Sequence, residues 1–79
     1  MNKLKLKERT QEHVVYLYQP QGTGSCGEIR MAFGDKKAFV VSRSNEDTNV
    51  GRYAYHATKA VERCVQEQEF PHEFIQAWY

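Results

Sequence analysis

The sequence predicts an α+β fold: a three-stranded antiparallel β-meander packed against one C-terminal α-helix, with an aromatic tail docked on both. Three observations carry this. Two runs rich in β-branched and aromatic residues, His13–Tyr18 and Lys37–Ser42, flank a segment of clean alternation, Glu28–Phe33. A small and apolar stripe then recurs at helical spacing through Tyr53, Ala57, Ala60, Val61, Cys64 and Val65. The tail gathers Phe70, Phe74, Ile75, Trp78 and Tyr79, aromatic and apolar area that a chain normally buries.

Residues 1–12 are polar apart from Leu4 and Leu6. Lys3-Leu4-Lys5-Leu6-Lys7 alternates with period two, which suits a basic arm or a weak edge strand over residues 1–10. His13–Tyr18 is apolar or aromatic on both faces and is expected to be central or covered on two sides. Pro20, Gly22, Gly24 and Gly27 punctuate the loop that follows. In Glu28–Phe33, Ile29, Met31 and Phe33 share one face, and Glu28, Arg30 and Ala32 the other. Gly34-Asp35-Lys36 signals a tight turn, so Lys37–Ser42 returns as the third strand of the meander.

Ser44–Asn49 is rich in helix-capping residues, which places a helix from near Val50 to Gln68. Arg52, His56, Lys59, Arg63 and Gln66 face outward from it. Gly51 weakens its first turn and allows close approach of another backbone. Pro71 ends it, because the residue before a proline avoids helical angles. The tail folds back over sheet and helix, where Trp78 is expected to complete the core. No linker or internal repeat divides residues 1–79, so they are read as one domain.

Seventy-nine residues bury a modest share of their surface, about 60%. Such a chain needs very good packing, a staple or a partner subunit. Cys26 lies in the glycine-rich loop and Cys64 on the helix's apolar face, so a disulfide between them is not expected. The start of the chain is charged but has no apolar stretch of a secretory leader, and no run is long enough to span a membrane. A cytoplasmic chain is the expectation.

The net charge of +1 argues against a strong general nucleic-acid binder. The charge is nevertheless uneven. Lys3, Lys5, Lys7 and Arg9 crowd the N-terminus, while Glu62, Glu67, Glu69 and Glu73 crowd the C-terminus. Asymmetry of this kind steers a partner or a second copy of the chain.

Motifs for chemistry fail on context. Gly22-Thr23-Gly24-Ser25-Cys26-Gly27 has the letters of a dinucleotide fingerprint, but that motif must open a helix inside a βαβ unit, and here it leads into a strand. Gly24-Ser25-Cys26-Gly27 resembles the nucleophile segment of chymotrypsin-like viral cysteine proteases. Those enzymes need two barrels, a base and an orienting group, for which this chain has no room. His13, His56 and His72 show none of the paired spacings of structural zinc sites. Neither a cofactor nor a metal is expected.

The tail Phe70-Pro71-His72-Glu73-Phe74-Ile75-Gln76-Ala77-Trp78-Tyr79 is similar to the ends of small uncharacterised proteins from Firmicutes and their mobile elements. Arg52, Tyr53, His56, Phe70, Pro71, Ala77, Trp78 and Tyr79 carry the resemblance, over about the last third of the chain. It implies no activity and assigns no site residue.

Binding rather than catalysis is therefore the expected function. The first reading is a protein-interaction module, a homodimer or a phage or mobile-element accessory factor, with an exposed strand edge, of the third strand or of the Lys3–Lys7 arm, pairing to a second copy. Its candidate surface comprises Arg30, Lys37, Arg52, His56 and Lys59. The alternative reading is a nucleic-acid binder that uses the basic arm, Arg30, Lys36, Lys37, Arg43 and Arg52, with Tyr16 and Tyr18 as stacking rings. An enzyme is disfavoured, because no nucleophile–base–orienter set can be read from the spacing.

Overall fold

The small residues of the helical stripe let a helix lie close against a sheet, and that contact organises the molecule. A computed structural model describes residues 1–48 and 51–78. The elements are β1 (Asn2–Arg9), β2 (His13–Pro20), β3 (Gly27–Ala32), β4 (Phe39–Ser42), α1 (Arg52–Glu67) and β5 (Glu73–Gln76). The expected helix start near Val50, and Tyr79 of the tail, fall outside the described residues. The sheet has five strands in the order β4-β3-β2-β1-β5, every neighbouring pair antiparallel.

The α+β class holds, and the three-strand count does not. The basic arm is an interior strand, β1, paired on one side with β2 and on the other with β5. Alternation alone cannot tell an edge strand from an inner one, and the partner β5 comes from the far end of the chain. The tail docks as expected, but by strand pairing as well as by its rings. His72 O accepts from Leu6 N at 2.8 Å, and the Tyr16 hydroxyl donates to Pro71 O at 2.8 Å.

Leu4, Val14, Tyr16, Tyr18, Ile29 and Met31 face α1 and are buried against Ala54, Ala57, Ala60, Val61 and Cys64. Phe74 meets Tyr16 edge-on at 5.7 Å, and Phe70 packs on Phe33 at 5.6 Å. Trp78 does not complete this core. It stacks on His56 at 4.0 Å and lies edge-on to Tyr53 at 5.5 Å, on the flank of α1. β2 is central in the sheet, but α1 covers only one of its faces.

Two β-bulges re-aim side chains. One leaves Lys7 without an opposite residue on β2, which turns Arg9 to the helix side, over the Phe70 ring at 4.3 Å. The other falls at Val41, between the pairs Ile29–Val40 and Glu28–Ser42.

The start of α1 is held by a buried carboxylate. Gly51 takes φ 74°, a left-handed conformation, and supplies no side-chain cap. Its open side meets only the Arg43 side chain, so it serves the turn and not a close backbone approach. Asp47 instead accepts from Tyr53 N at 3.3 Å, Ala54 N at 3.0 Å and the Tyr18 hydroxyl at 3.0 Å. It satisfies donors that a helix start leaves orphaned.

Candidate interaction surface

β4 reads Phe-Val-Val-Ser, a good strand sequence with no charge. Such a run normally lies inside a sheet. Here β4 is an edge strand, and all four of its residues are exposed. Phe39 is 53% exposed, Val40 37% and Val41 48%. The strand thus offers both unpaired backbone groups and uncovered apolar side chains.

The apolar strip continues onto the sheet face that α1 leaves bare. Phe39 stands opposite Arg30, and Val41 borders a shallow depression of about 310 Å³ with Val15, Glu28 and Arg30. Val15 is nearly buried although it is on this face. Lys7 reaches across β2 to Glu28 at 2.6 Å, so long charged side chains roof the valine.

Most charges on the bare face are already paired. Lys3 meets Glu73 at 2.8 Å, and His13 Nε2 meets Glu8 at 2.7 Å. The hydrogen bond from His13 holds the Glu8 carboxyl below its ordinary range, and Lys3 does the same for Glu73. Lys5 and Arg30 have no ion-pair partner among the described residues.

The five residues that the sequence marked do not converge. Arg30 lies on the bare face and Lys37 just before β4, so these two border the apolar patch. Arg52, His56 and Lys59 lie along α1, on the other side of the sheet. Of these, His56 is half-buried beneath Trp78. Burial there, assisted by Arg52, pulls its imidazole below the ordinary value of 6.5.

The rings considered for base stacking point the other way. Tyr16 and Tyr18 are fully buried against the helix. Burial pushes the Tyr18 phenol up to about 12, and its hydroxyl also accepts from Ser44 N at 3.1 Å. The thiols are far from any shared chemistry. Cys26 is exposed in the β2–β3 loop, and Cys64 is buried on the sheet-facing side of α1, where desolvation raises its pKa. Among the described residues no group of three His, Cys, Asp or Glu side chains could hold a metal ion.

Sequence reasoning offered the edge of the third strand for pairing but did not mark the side chains of Phe39, Val40 and Val41 as exposed. A four-residue apolar run has the same composition at a sheet edge as at its centre, so period and propensity could not separate the two. The one available signal was that Lys37 and Arg43 bracket the run, as charges do beside exposed strands. No helix among the described residues is long and apolar enough to cross a membrane. Comparison with protein-family models, curated proteins and solved structures finds no match to this chain.

Proposed function

We propose that this domain is a non-enzymatic protein-interaction module that self-associates through β4. One observation carries the reading: a charge-free strand at a sheet edge whose Phe39, Val40 and Val41 are all exposed. Two copies of β4 pairing antiparallel about their midpoints form an isologous interface, which closes as a dimer and leaves no further edge at that end. Phe39 and Val41 of each copy then lose water together with the backbone edge.

The ends of β4 are basic, with Lys36 and Lys37 before it and Arg43 after it. Antiparallel pairing brings the Lys37 end of one copy to the Arg43 end of the other. Salt screens that repulsion, so self-association strengthens as ionic strength rises. Nucleic-acid binding through the same cations has the opposite sign, because phosphate contacts weaken steeply with salt. The domain as a phage or mobile-element accessory factor fits this reading as a small adaptor.

The test is sedimentation velocity across a concentration series at low and high salt, with Val41→Lys beside the native sequence. Val41 is 48% exposed, so completing its burial is worth about 0.8 kcal/mol, and symmetry counts it twice. The variant should therefore weaken the dimer by about tenfold or more, which is ~1.5 kcal/mol. A native chain that stays monomeric at the highest soluble concentration and salt refutes the proposal.

A further inference from the structure

The opposite edge of the sheet carries an open groove, separate from β4. β5 is the last strand on that side, and α1 runs beside it. Between them lies a groove of about 500 Å³. Its floor is apolar: Ala60 and Cys64 from the helix, and Phe74 from the strand.

The register of β5 says which backbone groups are free. Leu6 N donates to His72 O, and the ladder runs Lys5–Glu73, Leu4–Phe74, Lys3–Ile75, Asn2–Gln76. In an antiparallel pair, hydrogen-bonded and non-hydrogen-bonded positions alternate. His72, Phe74 and Gln76 therefore bond β1, while Glu73 and Ile75 turn their N–H and C=O groups away from it, along the groove.

The groove's rim is polarised. α1 turns back directly into β5, and Gln76 Nε2 donates to His56 O at 2.7 Å, so the two elements run antiparallel. Lys59 and Arg63 thus stand at the Ala77 end of the groove, and Glu67 and Glu69 at the Pro71 end. Arg63 and Glu67 bond each other at 3.0 Å, but as an exposed pair that contact is weak enough to be exchanged.

We propose that this groove binds an extended peptide as a sixth strand, antiparallel to β5, with the pattern acidic-x-apolar-x-basic from N- to C-terminus. The spacing follows from geometry. Eight helical residues separate Lys59 from Glu67, a rise of about 12 Å. A strand covers about 12 Å in roughly four residues. Side chains at i, i+2 and i+4 share one face, so the acidic, apolar and basic positions all point at the helix. The acidic residue meets Lys59 and Arg63, the apolar one sits over Cys64 and Phe74, and the basic one meets Glu67 and Glu69. Main-chain bonds to Glu73 and Ile75 supply the affinity, as in other cases of strand addition.

The test titrates isotope-labelled protein with the peptide acetyl-Thr-Asp-Thr-Val-Thr-Lys-Thr-amide, and with a control in which Asp and Lys are exchanged. The expected result is shifted and protected amides at Glu73 and Ile75, and binding about tenfold tighter than the control, from two rim contacts. Ile75→Pro removes an outward N–H that β1 does not use and should abolish binding. The double exchange Lys59→Glu with Glu67→Lys, at two exposed positions, leaves Arg63 and Glu69 to balance the new charges and should erase the preference between the peptides. Val41→Lys should leave the titration unchanged, which separates this result from the fate of self-association. Absence of binding at millimolar peptide, equal affinity of the native chain for both peptides, or an undiminished preference in the folded double variant overturns the proposal.

Discussion

Replacing Asp47 by alanine should remove about a third of this domain's stability. The carboxylate is buried and accepts three hydrogen bonds, from Tyr53 N, Ala54 N and the Tyr18 hydroxyl. Loss of a helix-capping side chain costs about 1 to 2 kcal/mol. A buried hydroxyl that loses its acceptor costs about 1 to 2 kcal/mol more. Arg43, half-exposed and 3.8 Å from Asp47, adds little. The sum is about 3 kcal/mol, set against the roughly 4 to 12 kcal/mol total expected for a chain of this length. At this size that loss lowers the melting temperature by roughly 12–24 °C. Urea unfolding of Asp47→Ala, followed by far-ultraviolet circular dichroism, reads the loss directly. A double-mutant cycle sharpens it: Tyr18→Phe removes the hydroxyl that Asp47→Ala would orphan, so the pair should cost about 1 kcal/mol less than the sum of the singles. A loss under about 1 kcal/mol for Asp47→Ala, or strict additivity in the cycle, refutes the view that this carboxylate joins sheet to helix.

Four further outcomes are expected. Gly27→Ala should cost about 3 kcal/mol, because a methyl group there meets the buried Tyr18 ring and, at 2.8 Å, the Ser42 carbonyl; equal stability to the native chain in urea would contradict that packing. His56 has a folded-state pKa below its ordinary 6.5, so the unfolded chain takes up the proton first. The associated stability is full above 6.5 and falls as pH drops through 6.5 toward the folded-state value. Trp78 is the sole tryptophan and stacks on His56, so its emission should change over that window in the native chain and not in His56→Gln; identical profiles would refute the coupling. The Glu8 and Glu73 carboxyls are depressed, and the stability they contribute is lost in a separate window below their ordinary 4.5. Finally, iodoacetamide should label exposed Cys26 in the folded protein and buried, desolvated Cys64 only once urea unfolds it; equal labelling rates read by mass spectrometry would refute the burial of Cys64.

Local pattern and composition by themselves determined the element types: the β2, β3 and β4 strands, the amphipathic α1 and the need to dock the aromatic tail; the end of α1 falls not at Pro71 but at Gln68, whose left-handed φ of 56° caps the helix. These depend on periods of 2 and 3.6 and on the fixed backbone preferences of proline and glycine, which act within a few residues. The place of each strand was a tertiary decision. Lys3-Leu4-Lys5-Leu6-Lys7 became an inner strand only because Glu73–Gln76, from the far end of the chain, pairs beside it. Phe39–Ser42 became an open edge because no later strand pairs beside it among the described residues. The bulge at Lys7, the turning of Tyr16 and Tyr18 toward α1, and the stacking of Trp78 on His56 follow from that arrangement. Long-range pairing joins residues whose separation leaves no mark in local alternation, so the choice between the third strand and the N-terminal arm as the open edge was made only once the strands were in order.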